Sequence, residues 1–146
     1  MKLIVSAIAF ASLVLFSCSK DYSIESVPSV LHGTWRMIEV RDNGSASITT
    51  KPSDLHGDVE ITFTPSGNAS GLLTGFTATN IISASGYTTG KNQMLTIPAL
   101  NMTKLWETPW GNQFVSNIRS TSAYHFDSNG NLLITTVGKT LVFEPV

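Results

Sequence analysis

The chain has one cysteine, few charged residues and, beyond its first residues, no long apolar run. A single thiol in 146 residues leaves nothing to pair with inside the chain, which excludes a scaffold held by internal disulfides. Charged residues make up 13% of the total, nine basic against ten acidic, and they are scattered. No basic stripe is present to bind nucleic acid, and no block of like charge marks a tail.

Catalytic patterns are missing as well. His32, His56 and His125 stand apart, with no pair at the i,i+4 spacing that places two imidazoles on one helix face for zinc. His125 sits between Tyr124 and Phe126, an alternation that points it away from a core. In "GNASG" (67–71) the serine is one place late for a nucleophile elbow, and it follows a turn rather than a buried parallel strand. "GYTTGKN" (86–92) lacks the spacing and the hydroxyl residue of a phosphate-binding loop. "DSNGN" (127–131) lacks the ligand count of a calcium loop. Acids occur singly, so no carboxylate pair stands out for acid/base work. No enzyme, metal site or cofactor is expected.

What is present begins with the compartment. Lys2 is followed by an almost unbroken apolar stretch from Leu3 to Phe16, the length of a secretory signal and too short for a mature spanning helix. It ends in "LFSC", with Leu15 three residues before Cys18 and the small Ser17 just before it. This resembles a lipobox, the site at which bacterial lipoproteins are cleaved and acylated. Phe16 departs from the small or β-branched residue usual there, although a bulky residue at that place is familiar in lipoproteins of the Bacteroidota. Residues 1–17 are expected to be a lipoprotein signal peptide and Cys18 the lipidated residue, which explains a lone thiol in an exported chain. Each buried methylene contributes about 0.8 kcal/mol, so several acyl chains hold a domain at the membrane where one anchors it only marginally. The following "SKDYSIESVPSV" is polar and aperiodic and reads as the rest of a flexible tether, residues 18–30.

Residues 31–146 have the length of a single domain, rich in Ser, Thr, Gly and Asn. In "DVEITFT", Val59, Ile61 and Phe63 alternate with polar residues, as in a strand buried on one face. "TPSGN" is a turn, and "ASGLLTGFTATNIISASGYTTG" reads as short strands bending at Gly71, Gly75 and Gly86. "QMLTIPAL" is a strand stopped by Pro98. "SAYHFD", "NLLITTV" and "TLVFEP" form a meander, its first turn carrying Asn129-Gly130, which favours left-handed backbone. One helix is expected in "TPWGNQFVSNIRS", where Trp110, Phe114 and Ile118 recur every four residues, Thr108 can cap and Pro109 takes the first helical position. Gly111 costs that helix about 1 kcal/mol relative to Ala, so it depends on docking its apolar stripe. The fold class is mainly β: a small barrel-like antiparallel sheet with one short helix packed against it. Trp35, Phe63, Tyr87, Phe114, Tyr124 and Phe126 are expected in the core, with Asn80 and Gly86 setting backbone shape.

The order of these segments resembles the META domain, the HslJ-like heat-shock lipoprotein family. "ATNIISASGYTTGKNQMLTI" is similar to that family's Gly-Cys-Asn stretch leading into its Gly-Ser-Tyr strand, and "NMTKLWETPWGNQFVSNI" to its Thr-x-Met segment leading into the helix. "TSAYHFDSNGNLLITTVGKTLVFEP" is similar to its closing strands, so the likeness runs from Gly33 to Pro145. Where the family often has cysteines, this chain has Thr79 before Asn80 and, ahead of the helix, "KLWETP". The resemblance implies a nonenzymatic lipoprotein of the outer membrane, linked to heat shock and novobiocin tolerance, with an envelope protein as the expected kind of partner and exposed aromatics such as Trp106 available for contact. The Gly-x-Trp of "HGTWRMIEV" also begins lipid-carrying barrels, so the alternative is a lipocalin-like carrier holding a small apolar ligand inside the barrel.

Overall fold

The computed structural model describes residues 31–146. The expected signal peptide (1–17), the expected lipidation site Cys18 and the expected tether (18–30) lie outside the described residues. Among the described residues nine strands are present: β1 (Gly33–Asp42), β2 (Ile48–Thr50), β3 (Glu60–Pro65), β4 (Ser70–Phe76), β5 (Ile81–Gly90), β6 (Met94–Thr96), β7 (Thr121–Phe126), β8 (Leu132–Thr136) and β9 (Lys139–Pro145). The helix, α1, runs over Pro109–Asn117 in the link between β6 and β7 and is followed by a 3-10 turn, Ile118–Ser120.

Every pairing is antiparallel, in the order β2-β1-β3-β4-β5-β6-β7-β8-β9, and β9 returns to β1. Eight strands therefore close a barrel and β2 is an appendage. This is possible because β1 divides one of its edges. Gly33 to Arg36 face β3, and Glu39 to Arg41 face the fully exposed β2. Closure leaves no open edge among the eight, which is how a small antiparallel sheet avoids templating further strands.

Side chains alternate inward and outward, and bulges reset the phase. On β1, Trp35 and Met37 are buried, and the next inward residue is Val40. The register slips between Met37 and Glu39 against β9, so Ile38 is the extra residue that moves the inward set by one. A second slip lies between Leu73 and Gly75 on β4. Gly75 has φ 145°, and an added Cβ would stand 2.0 Å from the Glu60 carbonyl oxygen, so the backbones approach there as only glycine permits. Gly86 behaves otherwise. It is exposed, a Cβ would meet nothing within 4 Å, and the bend expected there is not made by this glycine. In the Asp127 to Asn131 turn only Gly130 is left-handed, at φ 81°, while Asp127 Oδ1 accepts from Asn129 N and Asn131 N.

The interior is filled with side chains. Phe63, Leu73, Leu95, Ile97, Phe114, Ile118, Leu132, Ile134, Leu141 and Phe143 are at most 1% exposed. Phe63 meets Tyr87 edge-on at 5.0 Å, and Phe114 of the helix meets Phe143 of β9 at 6.4 Å. Trp35, Tyr87 and Tyr124 belong to this core, whereas Phe126 is half-buried at its margin, 5.6 Å from Trp35. The strand directions set two ends. At one, β1 begins, β9 finishes and the β3–β4, β5–β6 and β7–β8 turns lie; at the other lie the β4–β5 and β8–β9 turns and the long link carrying α1. Trp35 closes the first end, and α1, through Trp110, Phe114 and Ile118, closes the second.

Candidate functional site

The polar residues that chemistry would need gather at the helix end. β4 and β5 are joined by a tight turn in which Thr77 N donates to Asn80 O at 2.8 Å and Asn80 N donates to Thr77 Oγ1 at 3.0 Å. That turn aims the Asn80 side chain across the barrel rim at the link before α1. Its Nδ2 donates to Leu105 O at 3.2 Å, Glu107 Oε2 at 2.9 Å and Thr79 Oγ1 at 3.0 Å. Its Oδ1 accepts from Leu105 N at 2.7 Å and Thr103 Oγ1 at 3.0 Å. One buried amide thus satisfies both backbone groups of Leu105 and ties the side chains of Thr103 and Glu107 to the same point.

Glu107 is the centre of this knot, 8% exposed. Its Oε2 accepts from Thr77 Oγ1 and Asn80 Nδ2, and its Oε1 accepts from Thr108 N at 2.9 Å. Burial pushes the carboxyl pKa up, but the hydrogen bonds from Thr77, Asn80, Thr108 and Thr79 outweigh it and hold the group below its ordinary value of 4.5. The carboxylate also stands just before the first turn of α1, where the helix field favours negative charge. Thr108 caps the helix by accepting from Gly111 N at 3.1 Å, with Pro109 next to it. Gly111 is there for room: a Cβ would lie 2.2 Å from Glu107 Oε1. The glycine that weakens the helix by propensity is what lets the carboxylate lie against it.

Beside the knot an open groove of about 400 Å³ runs between the 100–107 segment and the outer face of α1. Leu100, Met102 and Val115 give it apolar walls; Asn112 and Val115 of α1 and Arg119 of the 3-10 turn that follows it line one side, and Lys104, Leu105 and Trp106 form the other lip. Leu105 is 65% and Trp106 81% exposed.

The expected core aromatics and Asn80 are brought together around the barrel and its helix end; the three histidines are not. His32 precedes β1, His56 lies between β2 and β3, and His125 is on the outer face of β7, all exposed. Among the described residues no group of three His, Cys, Asp or Glu is placed to hold a metal ion, and no helix is long and apolar enough to cross a membrane. Neither Glu107 nor the groove stands out in the sequence. Their one local signal was an acid directly before a Thr-Pro cap with glycine four residues on.

The fold and rim define a small closed antiparallel β-barrel plugged at one end by a helix. The chain is similar in fold to the NMR structure of a protein from Burkholderia xenovorans, with a TM-score of 0.56 and 18% identity over 80% of this chain and 84% of that one. At that identity the likeness is one of fold. No family model matches the chain, and no curated protein matches it.

Proposed function

We propose that this chain is an envelope lipoprotein with a META/HslJ-like domain, anchored to the outer membrane through acyl chains on Cys18, nonenzymatic, and acting through protein contact or stress protection in the cell envelope. The observation that carries the reading is the place of the chain's only cysteine, directly behind an apolar run and a Leu-Phe-Ser. The domain part is supported by a contact. The two stretches in which the family often has cysteines meet here, Thr79 Oγ1 donating to Trp106 O at 2.8 Å. The filled interior favours contact over internal carriage, because a carried ligand would have to displace side chains that are already close-packed.

Cys18→Ser is expected to abolish labelling by a fatty-acid analogue and to release the protein from the membrane fraction. Unchanged labelling defeats the lipoprotein reading. Lipid co-purifying with the chain inside the barrel, detected by mass spectrometry and lost on Phe63→Trp, would favour the carrier instead.

A further inference from the structure

The groove at the helix end has a composition that selects its occupant. Its walls are largely apolar with Asn80, Thr103 and Asn112 among them, its lip carries an exposed indole, and the charged side chains that reach it unpaired are both cationic. Lys104 and Arg119 make no ion pair among the described residues, whereas Arg36, Arg41, Lys51 and Lys139 are each engaged by a carboxylate. The one acid lining the groove, Glu107, has both oxygens occupied by Thr77, Asn80 and Thr108 and offers an incoming group nothing to bond. The volume, about 400 Å³, suits a small molecule rather than a folded partner.

We infer that this groove binds a small aromatic anion, its ring lying on Leu100, Met102 and Val115 under Trp106 and its carboxylate or sulfonate reaching Arg119 and Lys104. Arg119 presents a planar fork that pairs with such a group in two parallel hydrogen bonds, and Lys104 adds a point charge from the opposite lip. The indole of Trp106 supplies a flat, exposed face for stacking. The rigid knot of Asn80 and Glu107 beneath keeps the lip in place before the ligand arrives, which lowers the ordering cost of binding. This site goes beyond membrane anchoring and does not depend on Cys18.

The test is calorimetric titration of the full chain in zwitterionic nanodiscs with 2-naphthoate, with empty discs as the reference. Saturable one-to-one binding is expected, weakened about tenfold by Arg119→Gln and by a similar factor by Trp106→Ala. Lys91→Gln, at the far end of the barrel, should leave the affinity unchanged. Naphthalene methanol, of the same shape without the charge, should bind at least about tenfold more weakly. No saturable heat with 2-naphthoate overturns the proposal, as does binding that Arg119→Gln leaves intact or that the alcohol matches. Binding of an acidic peptide in place of naphthoate overturns it too, and would make the groove a protein contact. A thermal melt of each variant matching the parent keeps loss of fold out of the comparison.

Discussion

At the end where β1 begins, Trp35 lies against Phe126 with Tyr124 and Leu31 close by in the same apolar cluster, and no buried charge takes part. At the other end the barrel is covered by a nine-residue helix whose seat is tied down by Asn80 and Glu107. Both ends bury an indole, and both indole nitrogens, Trp35 Nε1 and Trp110 Nε1, lack a hydrogen-bond partner among the described residues. The difference lies in how the covering segment is held. A strand residue is placed by its ladder, so an apolar plug suffices; a link with little ladder of its own must find partners for its backbone, and those partners are polar. That polar end is therefore where a groove, a fixed charge and an exposed aromatic lip coexist.

The largest expected effect breaks the apolar end. Trp35→Ala should cost about 3–5 kcal/mol of unfolding free energy in urea titrations, with no change in how stability depends on pH. At the polar end, Gly111→Ala should destabilise by about 1–3 kcal/mol, because the new methyl collides with a carboxylate held on three sides. In a Glu107→Ala background the same change should become neutral or stabilising by about 1 kcal/mol, since alanine is the better helix former once the space is free. Purely additive behaviour in that double-mutant cycle would show that the two residues do not press on each other.

A smaller effect sharpens the contrast through pH. The Glu107 carboxyl is held below its ordinary value of 4.5, so the stability it contributes is fully present above that value and is lost as pH falls through the lower native value. Glu107→Gln should cost about 1–2 kcal/mol near neutral pH and flatten the decline of stability below 4.5. A residual acid slope should survive. Lys139, with the Gly44 amide and the Ser45 side chain, draws Asp42 down to about 2, and Asn131 and Asn129 draw Asp127 down. An acid profile identical in Glu107→Gln and the parent would remove the carboxylate from the account of the polar end.

The strands that could be read in the sequence are those whose cues are local. Val59, Ile61 and Phe63 alternate, Thr108 and Pro109 start a helix, and the loop with Gly130 turns a hairpin, each within a window of a few residues. Gly75 and Gly86 look alike in that window. They differ because a Cβ on Gly75 would run into the Glu60 backbone, a neighbour brought in by pairing of β3 with β4, while a Cβ on Gly86 would meet nothing within 4 Å. The bulge at Ile38 was equally hidden: it shows only once β9, a hundred residues away, sets the register. Glu107 was invisible for the same reason, its partners Thr77 and Asn80 lying 30 and 27 residues earlier.

By itself the sequence determined the mainly β class, the helix and its cap, and the burial of Trp35, Phe63, Tyr87, Phe114 and Tyr124, though not the marginal place of Phe126, because alternation, capping and turn chemistry are properties of neighbouring residues. Only the tertiary structure decided that eight strands close on themselves, that a glutamate is buried beside a glycine, and that Lys104, Trp106 and Arg119 share one groove. Those are meetings between distant parts of the chain, and they follow from register and closure, which no short window of residues contains.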